Sequence, residues 1–160
     1  MQQIRNANNA TGADVTNYLY VTANQVQSIA QASVKYLIGL TSMSSKNSLY
    51  FLPLSVGGVN TDNIPRYIRL GFAVMDKDQV VNPTAGIIKF YDSTGSLDTY
   101  PMGFYKYTIY EQTSSSNLDP ANATLIEEGM AYVRDHSGNM EEVTPDFNEY
   151  NPTVTQYVYP

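Results

Sequence analysis

The chain has 160 residues, which suits one domain with its own core, and only 15% of them are charged where about 25% is usual. With 14 Tyr and 5 Phe the polar bias is not a disorder signature, and the absence of Cys excludes disulfides, thiolate chemistry and Cys-based zinc sites. The net charge of −6 has no basic stretch to set against a phosphate backbone, so a nucleic-acid partner is not expected.

In chain order, the polar, Asn-rich start (MQQIRNANNATG) reads as an arm, free or laid on a neighbour. Val15–Ala23 carries β-formers. Residues 24–33 place Val26, Ile29 and Ala30 at helical spacing, which predicts one short helix or a loop. Strands follow at Ser33–Thr41 and at Ser48–Val56, where Pro53 predicts an edge or a bulge. Gly57 and Gly58 end the second of these, and VNTDN follows. In Pro65–Met75 the residues Ile68, Leu70, Phe72 and Val74 alternate with Tyr67, Arg69, Gly71 and Ala73. Ala85–Tyr91 is a further predicted strand. In Gly103–Glu111, Phe104, Lys106, Thr108 and Tyr110 share one face, while Tyr105, Tyr107, Ile109 and Glu111 share the other. Thr124–Arg134 follows, and residues 153–159 form a last strand or a trailing arm.

Many short strands at regular spacing, with almost no helix, predict an all-β fold. The expected architecture is an antiparallel β-sandwich, immunoglobulin-like or jelly-roll-like, with at most one short helix. The expected organisation is an arm over 1–14, one sandwich domain over 15–152 and a Tyr-rich strand or arm over 153–160. No apolar run approaches the roughly 18 residues of a membrane helix. The polar start has no signal-peptide core, so assembly in a host cytoplasm is expected and a membrane partner is not.

Charge is unevenly spread. Residues 1–106 hold eight bases and six acids, while residues 107–160 hold one base, Arg134, and nine acids. The acidic end keeps the protein soluble or meets a basic partner surface.

No residue pattern predicts catalysis, and no cofactor or metal is expected. The single His, His136, sits in a turn sequence, DHSGN, with no nucleophile pattern beside it. Glu127/Glu128 and Glu141/Glu142 are sequence neighbours, and on a strand each pair splits between two faces. Asp76 and Asp78 flank Lys77 in a polar turn. Asp135, Ser137, Asn139 and Glu141 alternate like the start of a calcium loop, but Met140 stands where that loop requires Gly. The sequons at Asn9 and Asn122 carry weight only in a secreted eukaryotic chain.

Tyrosines are the informative feature. Tyr105 and Tyr107, at spacing two, are expected to pack across strands. Tyr157 and Tyr159 are expected to touch a partner, since Tyr gives a large contact area at low entropic cost. The candidate partner interface is therefore terminal: Ile4 and Arg5 at the start, and Val154, Tyr157 and Tyr159 at the end.

The runs Gly103–Gln112 (GFYKYTIYEQ), Asn117–Pro120 (NLDP) and Thr124–Val133 (TLIEEGMAYV) resemble small β-sandwich virion proteins of tailed bacteriophages. The resemblance spans residues 100–134; upstream, Tyr50-Phe-Leu and Pro65-Arg-Tyr look like earlier strands of such proteins. It implies a non-enzymatic virion component with an immunoglobulin-like or related sandwich fold and leaves its place in the virion open; the leading expectation is an auxiliary or decoration protein on the capsid surface. Its implied partners are capsid, portal, neck or fibre proteins in a multi-subunit complex. A head–tail connector, neck or fibre-base role is the alternative within that class. A carbohydrate-binding sandwich, stacking Tyr rings on sugars, is the alternative outside it, weakened by the absence of Trp.

Overall fold

A computed structural model describes residues 1–6, 15–22, 28–30, 32–54, 61–64, 67–75, 80–90 and 99–134. Most of these residues are strand, and the strands form two sheets packed together in a β-sandwich. The first sheet has the order β1–β9–β8–β3–β4, where β1 is Gln2–Arg5, β3 Lys35–Ser42, β4 Ser48–Phe51, β8 Gly103–Gln112 and β9 Thr124–Arg134. The second has β6 (Tyr67–Val74) at its centre, with β2 (Val15–Val21) along one side. β5 (Thr61–Ile64) and the two-residue β7 (Ile87–Ile88) also pair with β6. Pairing is antiparallel throughout the body, and parallel only for β1 on β9 and β7 on β6.

The alternation seen in the sequence builds the core. On β6, Ile68, Leu70, Phe72 and Val74 are all fully buried. On β8, Tyr105, Tyr107 and Ile109 point inward, and on β3, Tyr36, Ile38 and Leu40 do so. Rings bridge the two sheets: Phe51 of β4 lies 5.0 Å from Phe72 of β6. Burying an aromatic or branched side chain contributes about 1.5–3 kcal/mol each, so these layers carry most of the driving force.

Pro53 has the expected effect. β4 stops at Phe51 and is the edge strand of its sheet. Over 24–33, read as a short helix or a loop, the described part takes the loop alternative: residues 28–30 and 32–33 form a bend and a turn. The Ser28 and Ile29 N–H groups donate to the Glu111 carboxylate instead of a helical ladder. The strand expected over Ala85–Tyr91 shrinks to Ile87–Ile88, because the 3₁₀ turn Pro83–Ala85 ends at Gly86 in the left-handed region (φ 73°) and Phe90 is fully buried against Tyr105. The polar VNTDN segment, for which no strand was expected, contributes to β5, which pairs with β6 from Thr61 to Ile64. The expected last strand at 153–159 lies outside the described residues.

The start of the chain is built into the sheet. Gln2–Arg5 pairs in parallel with Ala131–Arg134, and the Asn6 N–H continues the ladder to the Arg134 carbonyl at 2.9 Å.

Candidate functional site

Of the five terminal residues expected to meet a partner, the two that are described, Ile4 and Arg5, separate once placed. Ile4 is 0% exposed and belongs to the same buried cluster as Leu19, Val21, Ala131 and Val133. On a strand paired in register with Val133, its side chain faces inward. Arg5, one position on, is exposed. Its backbone is held by a side chain of the other sheet. Asn17 Oδ1 accepts the Arg5 N–H at 2.7 Å, and Asn17 Nδ2 donates to the Arg5 carbonyl at 2.9 Å. The buried Asn17 amide thus imitates one peptide of a neighbouring strand. Val154, Tyr157 and Tyr159 lie outside the described residues.

Tyr105 and Tyr107 turn inward. The Tyr105 hydroxyl donates to the Pro101 carbonyl at 2.7 Å, and that of Tyr107 to Glu127 Oε1 at 3.1 Å. Burial pushes the Tyr105 phenol up to about 12. Burial, with the Glu111 carboxylate beside it, pushes that of Tyr36 up to about 12 as well.

The exposed apolar residues are elsewhere. On the outer face of the five-stranded sheet, Phe104 is 52% exposed and meets Tyr132 edge to face at 5.1 Å. Met130 and Met43 are exposed beside it; Met130 pairs with Lys106, and the Met43 N–H donates to the Phe104 carbonyl. The sequence had placed Phe104 and Lys106 on one face of β8 without deciding which face was outward. Lys106 was the available signal, since a lysine is almost never fully buried. On the outer face of the second sheet, Tyr18 and Tyr20 are exposed, Arg69 lies 4.7 Å from the Tyr18 ring centroid, and Tyr20 meets Tyr67 edge to face. Tyr, Met, Phe and Arg are the side chains enriched where proteins meet.

The carboxylates divide by face as expected. Glu128 points outward to Lys106, with Nζ and Oε2 2.6 Å apart. Glu127 reaches the second sheet, where its Oε2 accepts the Thr22 N–H at 2.6 Å and the Thr22 hydroxyl at 3.0 Å. Glu111 is buried. It accepts the Ser28 hydroxyl, the Ser28 N–H at 2.9 Å and the Ile29 N–H at 3.2 Å. These three bonds make it an anchor for residues 28–29. Both inner carboxylates are thus occupied in holding segments together. His136, Asp76, Asp78, Glu141, Glu142 and the loop beginning at Asp135 lie outside the described residues. Among the described residues no group of three or more His, Cys, Asp or Glu is placed to hold a metal, and no helix is long and apolar enough to cross a membrane. A cleft of about 480 Å³ between the start of β3 and the turn at Thr84 is lined by Lys35, Tyr36 and Leu52 among others, and its described lining holds no carboxylate to pair with the amine.

Comparison with protein-family models, curated proteins and solved structures finds no match to this chain.

Proposed function

We propose that the protein is a non-enzymatic structural component of a tailed-phage virion, an auxiliary protein held on the capsid surface by protein–protein contacts. The observation that carries the assembly part is the outer face of β8 and β9. Phe104, Met130 and Met43 stand exposed there, with Tyr132 against Phe104. Soluble chains seldom leave such residues grouped without a partner. The virion part draws on the resemblance of residues 100–134, which form the β8–β9 hairpin bearing that face.

Mass spectrometry of purified particles tests the reading. The chain is expected in the particle at a fixed copy number, and its absence would end the virion assignment. Within particles, Phe104→Ser with Met130→Ser is expected to lower the copy number, while circular dichroism of the purified variant stays that of the parent.

The outer face of the second sheet favours a second reading, a carbohydrate-binding sandwich. Tyr18, Tyr20 and Arg69 present rings and a guanidinium there. Calorimetric titration with a panel of oligosaccharides decides it, and the absence of saturable binding removes it.

A further inference from the structure

We propose that β1 is an exchangeable strand, donated by one copy of this chain to the β9 edge of a second copy. The inference rests on the assembly reading above, because exchange needs copies held side by side, and it names the partner as the chain itself.

The receiving groove is complete without any covalent link to β1. β9 offers the main-chain ladder from Ala131 to Arg134. The Asn17 amide clasps both backbone groups of Arg5, and Gln2 Nε2 donates to the Tyr20 carbonyl at 2.7 Å. The interior supplies a site for one side chain, Ile4. This is recognition by strand addition: main-chain bonds give affinity and a pocket for an alternate side chain gives register. Nothing in it requires the strand to come from the same chain.

β1 is also lightly tied. It has four residues, and Ile4 is its only fully buried side chain. Eight residues, 7–14, connect it to β2. At about 3.3–3.6 Å per residue they can span roughly 30 Å, well beyond the ~10 Å between packed sheets. A strand on that tether reaches a neighbour's edge as well as its own. Exchange replaces every β1 contact with an identical one, so the balance depends on local concentration. A short tether supplies an effective concentration in the mM range for the closed form, and copies packed side by side supply a comparable one for the exchanged form.

The chain has no cysteine, so introduced thiols report the pairing alone. Gln3 lies opposite Tyr132, and Arg5 opposite Arg134. Two single variants, Gln3→Cys and Tyr132→Cys, carrying different tags, are co-expressed and oxidised. The expected product is a disulfide joining the two tagged chains, and the double variant Q3C/Y132C is expected to run as linked oligomers on a non-reducing gel. A double variant that closes its bond within monomers, with no mixed product from the single variants, overturns the proposal. The pair R5C/R134C repeats the test with the Phe104–Tyr132 contact intact. Failure of both pairs to form a bond within or between chains also overturns it, since β1 would then not lie on any β9. The two readings fail separately. A bond confined to monomers ends strand exchange and leaves the virion assignment standing, while particles without the chain end that assignment and leave a mixed disulfide unexplained by it.

Discussion

Replacing Glu111 by Gln tests whether one buried carboxylate organises the start of the first sheet. Glu111 is 2% exposed and accepts three donors from Ser28 and Ile29. The amide has the same shape but loses the charge, and only one of its two ends can accept. Hydrogen bonds to a charged group contribute about 1.5–3 kcal/mol each. The loss is smaller than three such bonds, because the neutral amide is easier to bury and the exposed Ser28 regains water. We expect Glu111→Gln to cost about 2–3 kcal/mol near neutral pH, read as a lower denaturant midpoint at unchanged slope. The penalty depends on pH in a defined direction. Burial alone raises the carboxyl pKa, but the Ser28 hydroxyl and the two backbone N–H groups outweigh it, leaving the pKa below its ordinary 4.5. A depressed native pKa means that the stabilisation is full above 4.5 and is lost as pH falls through the native value. The gap between parent and variant is therefore expected to close in acid. A variant within about 0.5 kcal/mol of the parent at neutral pH, or a gap that persists unchanged in acid, would refute the reasoning.

Other substitutions probe the packing and the pairing. Ile4→Ala is expected to cost about 2 kcal/mol, the low end for such a truncation because the short β1 can detach, and thermal melts read it. A Cβ at Gly129 would lie 2.5 Å from the Tyr107 ring, so Gly129→Ala is expected to displace that ring from Glu127 and cost about 1–3 kcal/mol by denaturation. Tyr36 and Tyr105 have native pKa values raised from 10.0 to about 12, so stability is full below 10.0 and falls as pH rises towards 12. In the Tyr36→Phe variant that alkaline fall is expected to flatten, by up to about 1.4 kcal/mol per pH unit for one group. Lys106→Ala breaks an ion pair exposed on both sides and is expected to change stability by less than about 0.5 kcal/mol, measured by the same denaturation.

The sequence reading is reliable where a side-chain pattern repeats. β6 and β8 each show several alternating apolar positions, and both strands sit where the pattern put them. Pro53 predicted an edge or a bulge in Ser48–Val56, and the strand there lies at an edge and ends at Phe51, before the proline, whose missing N–H has a purely local consequence. The misses share a different cause. β5 (TDNI) has no apolar alternation of its own and is a strand only because β6 offers it a ladder. The segment AGIIKFY has strong β-formers, yet Gly86 enters it from a left-handed turn and Phe90 leaves it to fill the core. The stretch at Ser28–Ile29 had helical spacing, but a carboxylate 83 residues away takes its N–H groups.

The same distinction explains why β1 was not legible as a strand. A strand of four residues has two positions on each face, and in QQIR only one of them, Ile4, is apolar. One apolar residue has no period, so composition alone made the segment read as an arm, free or laid on a neighbour. What fixes β1 is backbone recognition, through the β9 ladder and the Asn17 amide, and neither leaves a mark in the sequence of β1 itself. Asn17 did carry a mark. It is an amide among the inward positions of β2, between the buried Leu19 and the start of the strand. A buried amide needs partners for its donor and acceptor, and here a strand backbone supplies both. The polar residue in an apolar face was therefore the legible trace of an added strand. Partner contacts are thus proposed at the face around Phe104 and at the groove that Asn17 lines.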